Sequence, residues 1–152
     1  MKRTSLEGEQ CAVARSLDII GDWWTLLIVR DALGGLRRFG EFQRSLGAAR
    51  NILSTRLRSL VEQGILQTAP ASDGSAYQEY LLTDKGRALV PVLIALSQWS
   101  DAHVFKPGET SLVPLDAEHQ APLAALEIRD REGRLLRPDE VRFSSGLGST
   151  AG

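Results

Sequence analysis

Cysteine, histidine and long apolar runs are what this 152-residue chain has least of, and each scarcity excludes something. The one cysteine, Cys11, leaves no partner for an intramolecular disulfide, which fits a reducing compartment. His103 and His119 have no other ligand residues at the spacing a zinc site uses, so no metal is expected. The longest apolar runs, WWTLLIV from Trp23 and VPVLIAL from Val90, fall far short of the roughly 20 residues that span a bilayer. The opening MKRTSLEGEQ is polar, unlike a signal peptide. A cytoplasmic protein without membrane contact is the expectation. A nucleophile with a positioned base and a glycine-rich phosphate loop are both missing, so neither an enzyme nor a bound cofactor is expected.

What is present suits one globular domain with a tail. Hydrophobic residues make up 43% and charged residues 24% of the chain, enough for a core without disulfides. Net charge is only −1, but it is unevenly spread. Six arginines (Arg37, Arg38, Arg44, Arg50, Arg56 and Arg58) and one acid, Glu41, fall between positions 37 and 58, a net of +5, which leaves −6 for the remainder. A basic block of this kind is the footprint of a nucleic-acid contact.

Helical periodicity predicts four short helices. The first runs from Cys11 to Ile20, closed by Gly21 in a left-handed cap. The second, Trp23 to Leu33, has Asp22 as N-cap and apolar residues nearly all round, so it should be the buried centre. The third is Phe39 to Leu46, ended by Gly47. The fourth runs from Ala49 or Arg50 to Gln63, ended by Gly64. Its Leu53, Leu57, Leu60 and Val61 form a buried stripe, with Asn51, Ser54, Thr55, Arg58 and Glu62 opposite. The third and fourth together read as a helix-turn-helix, whose second helix lies in a DNA major groove. Strands over Ile65–Ala69 and Tyr77–Leu82, joined by the Ser72–Ser75 turn, make a hairpin, and a hairpin in this place is a wing. A long helix is predicted from Thr83 to about Phe105, kinked or short of one hydrogen bond at Pro91. Its Leu89, Val92, Leu93, Leu96 and Trp99 form an apolar face that calls for a partner. Beyond Pro107, a small hairpin is expected over Leu123–Leu136, extended by Glu140–Phe143, before a disordered SSGLGSTAG end.

Several stretches, in order and at consistent spacing, resemble the HxlR-type winged-helix transcriptional regulators. They are CAVARSLDIIG followed by WTLLI (Cys11 to Ile28), RRFGEF (Arg37 to Phe42), LSTRL (Leu53 to Leu57), EYLLTDKG (Glu79 to Gly86) and LSQW (Leu96 to Trp99). The resemblance spans about Cys11 to Phe105. It implies a homodimer on operator DNA, with the terminal helices forming much of the interface and repression a common outcome. This chain departs from the family at Trp23, where a basic residue is usual. It also has no positive charge from Gly64 to Asp84, so a minor-groove arginine cannot be carried over to the wing.

The fold expected is therefore α+β and mainly helical: a winged helix-turn-helix with a two-stranded wing and a long C-terminal dimerisation helix. Residues 1–10 are an arm, 11–105 the DNA-binding and dimerisation domain, and 106–152 an extension. The expected DNA contacts are Arg37, Arg38, Arg50, Asn51, Ser54, Thr55, Arg56 and Arg58. For Arg56 the alternative is an ion pair with an acid of the same domain. Cys11, at a helix start, is a candidate redox sensor, against the alternative of an inert buried thiol. Trp23, Trp24, Trp99 and Phe105, with Tyr77, are candidates for an effector pocket, although core or dimer contacts are the commoner use of such residues. The expected partners are double-stranded DNA, a second copy of the chain and a small-molecule effector. The competing reading is a winged-helix module for protein–protein contact without DNA, favoured by the uncharged wing.

Overall fold

The structure is a computed structural model describing residues 5, 7, 8 and 10–144. Most of the expected arm, residues 1–10, and all of the expected disordered end except Ser144 lie outside the described residues. The chain divides into two compact units, Met1–Leu93 and Ile94–Gly152.

The first unit is a winged helix. Helix α1 (Ala12–Ile20) starts from Cys11 and ends at Gly21. Gly21 is needed for a reason other than the one expected. Its φ is −81°, not left-handed, but a Cβ there would sit 2.3 Å from the Leu17 carbonyl oxygen. Asp22 then caps α2 (Trp23–Leu33), its carboxylate accepting from the Trp24 and Thr25 amides at 2.9 Å each. Helix α2 is not buried all round. Thr25, Ile28, Val29 and Asp31 are inside, while Leu26 and Leu27 are half-buried and Trp23 is 86% exposed. Two tryptophans in succession cannot share one face of a helix, and Trp24 takes the core side.

Gly35, with φ of 101°, turns the chain into α3 (Phe39–Leu46). The Glu41 carboxylate reaches back to accept from the Arg37 and Arg38 amides, which satisfies two donors at the helix entry. Gly47, at φ of 63°, supplies the left-handed turn that glycine adopts freely. Helix α4 (Arg50–Glu62) buries Leu53, Leu57 and Leu60. They join Ile28, Val29, Phe42, Ala48, Ile65, Leu66 and Leu82 in one core.

Strands β1 (Leu66–Pro70) and β2 (Gln78–Leu82) pair antiparallel, with Leu66 opposite Leu82 and Pro70 opposite Gln78. Each begins one residue later than the sequence suggests; for β1 the reason is that Ile65 is held in the core and its amide bonds the Leu60 carbonyl. Thr83 caps a single helical turn, α5 (Asp84–Arg87). The expected single helix from Thr83 to Phe105 is in fact two. The chain breaks after Arg87 and restarts as α6 (Val90–His103). Pro91 therefore sits in the first turn of a new helix, where its missing N–H leaves no bond unmade.

The second unit carries the rest of α6 and the extension. The expected hairpin shrinks to one isolated bridge, Arg129 with Leu135, and a second bridge, Leu115 with Pro122, forms ahead of it. Its turn forms as expected, with Gly133 at φ of 87° and the Gly133 amide bonded to the Asp130 carbonyl. The expected extension over Glu140–Phe143 is not a strand; a 3-10 turn, Pro138–Glu140, occupies its start. The Gln98 side chain holds the extension, donating to the Ala124 carbonyl and accepting from the Leu126 amide.

Candidate nucleic-acid interface

Helix α4 presents two faces of different chemistry. Opposite its leucine stripe, Arg50, Asn51, Thr55 and Arg58 are exposed and Ser54 is half-buried. The Thr55 hydroxyl donates to the Asn51 carbonyl at 2.8 Å, which leaves its lone pairs open as acceptors. The Arg50 guanidinium lies 4.9 Å from the centroid of the Phe39 ring. That cation–π contact fixes the side chain at the start of the helix while its donors stay outward.

Arg56 lies away from this set. Half-buried, it pairs with Asp22 at 3.6 Å, the within-domain alternative weighed for it. Asp22 thus touches two elements, α2 as its cap and α4 through Arg56. Burial raises the Asp22 pKa, but the Thr25 hydroxyl and amide, Arg56 and the Trp24 amide outweigh it, and the net shift is downward.

Arg37 and Arg38 are engaged by the wing. Arg37 lies 3.5 Å from the carboxylate of Glu79, and its carbonyl accepts from the Tyr80 amide at 2.7 Å. Glu79 is buried and also accepts from the Ser72 amide and hydroxyl. Those Ser72 bonds, and then Arg37, hold its pKa below the usual carboxylate value. Arg38 donates to Asp73 at the wing turn and lies 5.5 Å from the Tyr77 ring centroid. The Ser75 amide and Arg38 depress the Asp73 pKa strongly, and Asp73 in turn raises that of Arg38.

These contacts frame a groove of about 630 Å³ between α3, the start of α4 and β2, with Arg38, Arg44, Arg50, Phe39, Tyr77 and Tyr80 among its lining. Arg44 is the member that the sequence reading left out of its candidate set, although it counted toward the basic block. It is exposed on the last turn of α3 and donates to the Gly40 carbonyl at 3.2 Å. The signal available for it was its place in the arginine cluster. Asp73 had only the turn chemistry around it.

The other candidates are distributed as follows. Cys11 is a free cysteine and is exposed in the single chain. Trp23 is exposed and Trp24 packs on the core of the first unit. In the second unit Trp99 is exposed, with its ring centroid 5.9 Å from that of His103, and Phe105 is exposed. Among the described residues no group of three or more histidine, cysteine, aspartate or glutamate side chains could hold a metal ion. No described helix is long and apolar enough to cross a membrane.

Comparison with known proteins places these features in a lineage. An HTH-type transcriptional regulator of Mycobacterium tuberculosis (strain ATCC 25618 / H37Rv) is 46% identical over 101 residues, 66% of this chain and 63% of that protein. This chain therefore spans a little under two thirds of the length of that relative. The HTH-type regulator YvaP of Bacillus subtilis (strain 168) is 34% identical over 96 residues, 62% of this chain and 89% of the relative. Among solved structures, PA1607, a candidate transcription factor, superposes with a TM-score of 0.86 at 50% identity, covering 93% of this chain and 99% of that one. The redox regulator HypR in its reduced form gives a TM-score of 0.56 at 29% identity over 60% of this chain and 92% of its own. The model of the HxlR-like helix-turn-helix family matches residues 19–107, and the chain belongs to that family.

Proposed function

We propose that this protein is a sequence-specific transcriptional regulator that binds double-stranded DNA as a homodimer and acts as a repressor. The observation that carries this reading is the outward face of α4. Arg50, Asn51, Thr55 and Arg58 are exposed on the second helix of the helix-turn-helix, the element that enters a major groove in such folds. Arginine and asparagine there can read purine edges in pairs of hydrogen bonds, and threonine can reach base or phosphate. A two-fold dimer would then read half-sites about 34 Å apart, or a multiple of that. A dimer bound across a promoter would exclude polymerase, so transcription from retained fragments should fall when the protein is added; a rise would reverse the sign of regulation.

The test is retention of genomic fragments in a gel-shift assay at two salt concentrations, with wild type and Arg58→Ala. Wild-type affinity should drop steeply with salt as phosphate contacts release counterions. The variant should bind about tenfold more weakly, as expected on losing a base contact of about 1–3 kcal/mol, while its far-ultraviolet spectrum and oligomeric state are unchanged. Equal affinity at both salt concentrations would remove Arg58 from the interface. The second reading, a protein-contact module, is favoured by the engagement of Arg37 and Arg38 with Glu79 and Asp73. Failure of the wild type to retain any fragment at low salt would select it.

A further inference from the structure

The wing supplies no positive charge, and it places carboxylates on two of the arginines that the DNA-binding reading needs. From Gly64 to Asp84 the chain contains no lysine or arginine, whereas Asp73 and Glu79 lie on the wing against Arg38 and Arg37. Asp73 has two separate tasks. One oxygen accepts from the Ser75 amide at 2.9 Å and shapes the turn. The other accepts from Arg38 across 35 residues of sequence.

Arg38 leads into α3 and lines the groove that Arg44 and Arg50 also line. A guanidinium presents the same planar fork to a carboxylate and to a phosphate. Asp73 therefore takes up one of the guanidinium nitrogens that a backbone phosphate oxygen would otherwise bind. The Tyr77 ring holds the guanidinium by its face, so the exchange of one oxygen for another needs no large movement of the arginine.

We infer that the wing turn is a built-in competitor for DNA: Asp73 occupies Arg38 in the free protein and is displaced when a phosphate enters the groove between α3 and the wing. This rests on the DNA-binding reading. Two consequences separate it from a merely structural role for the contact. First, removing the charge of Asp73 should tighten DNA binding, whereas losing a structural brace should weaken it. Second, the gain should require Arg38, because a merely nearby negative charge would oppose DNA whether or not that arginine is present.

Asp73→Asn is the informative variant, because an asparagine oxygen can still accept from the Ser75 amide and keep the turn. Fluorescence anisotropy on a retained genomic fragment, over a salt series, would compare wild type, Asp73→Asn, Arg38→Ala and the double variant, with urea midpoints measured for all four. Asp73→Asn should bind about threefold more tightly per engaged protomer at low salt, in line with the weight of an exposed ion pair. Its salt slope should match that of the wild type, because Arg38 neutralises a phosphate in both complexes. Arg38→Ala should bind more weakly than wild type, and adding Asp73→Asn to it should give no gain. Equal or weaker binding by Asp73→Asn with an unchanged urea midpoint overturns the inference, as does a gain that persists without Arg38. If the wild type and all variants bind no DNA, the DNA-binding reading falls, and this inference with it.

Discussion

Asp22 concentrates more of the local architecture than any neighbouring side chain. Its carboxylate satisfies two amides at the start of α2, accepts a hydrogen bond from the buried Thr25 hydroxyl and pairs with Arg56 of α4. The capping role can be read from sequence, since an aspartate directly before an apolar helical run is a strong start signal. The bond to Arg56 cannot, because it joins helices that come together only in the folded state; sequence could offer it only as an alternative to a DNA contact. Asp22→Ala should cost about 1–2 kcal/mol at neutral pH, the range for losing such a cap. The pH dependence follows from the direction of the shift. The folded-state pKa lies below the ordinary value, so the stabilisation is fully present above the unfolded value, near 3.9, and is lost as pH falls through the folded value. Urea unfolding of wild type and variant should therefore show a gap at pH 7 that narrows below about pH 4. A gap that stays constant into acid would mean that the carboxylate charge contributes nothing. The arginines divide in the same way: their concentration is visible in the sequence, but the acids that engage Arg37 and Arg38 come from the wing and are visible only in three dimensions.

The elements with strong periodicity and clear stops were legible. Helices α2 and α3 begin and end at the expected residues, because Asp22, Gly34-Gly35 and Gly47 punctuate the chain unambiguously. The stretch after Thr83 misleads for a physical reason. Its apolar spacing continues through Leu89, Val92 and Leu93, so nothing in the period marks the break before Val90. Proline is tolerated in a first turn and costly in an interior, and the chain takes the tolerated solution. The extension misleads in the opposite direction, with a good turn that closes on a single bridge, Arg129 with Leu135, in place of paired strands. What docks α5 is also hidden from sequence. A Cβ on Gly86 would lie 2.3 Å from the Ile65 carbonyl oxygen and 2.9 Å from a Leu82 methyl. Both belong to the seam between the end of α4 and the wing, so the backbone of α5 would have to retreat. Gly86→Ala should destabilise the first unit by about 2 kcal/mol or more, read as a lowered urea midpoint with the slope unchanged. A variant as stable as wild type would show that the seam is loose enough to absorb a methyl group.

At the scale of the whole molecule, the net charge of −1 conceals a basic block of +5 within an otherwise acidic chain, so long-range attraction to DNA has to be oriented by that block. A pair of such blocks held in fixed relation binds far more tightly than one, which makes association of two protomers part of the function proposed. Helix α6 is the element with the chemistry for it. Among its residues Val92, Leu96 and Trp99 are exposed at 37%, 49% and 60%, and no residue of the helix is buried in the isolated chain. Exposed apolar side chains on one long helix are the usual mark of a surface completed by another chain. Wild type should sediment at twice the 16.6 kDa chain mass. Leu96→Glu should sediment as a monomer, because a carboxylate buried without a partner at the interface opposes association. The variant should keep the urea midpoint of its first unit, since Leu96 lies outside that core. Its operator affinity should fall by at least about 100-fold, the scale on which linked binding events lose their advantage when separated. A variant that remains dimeric would move the interface off α6, and a monomer that keeps full affinity would make the helix-turn-helix sufficient by itself.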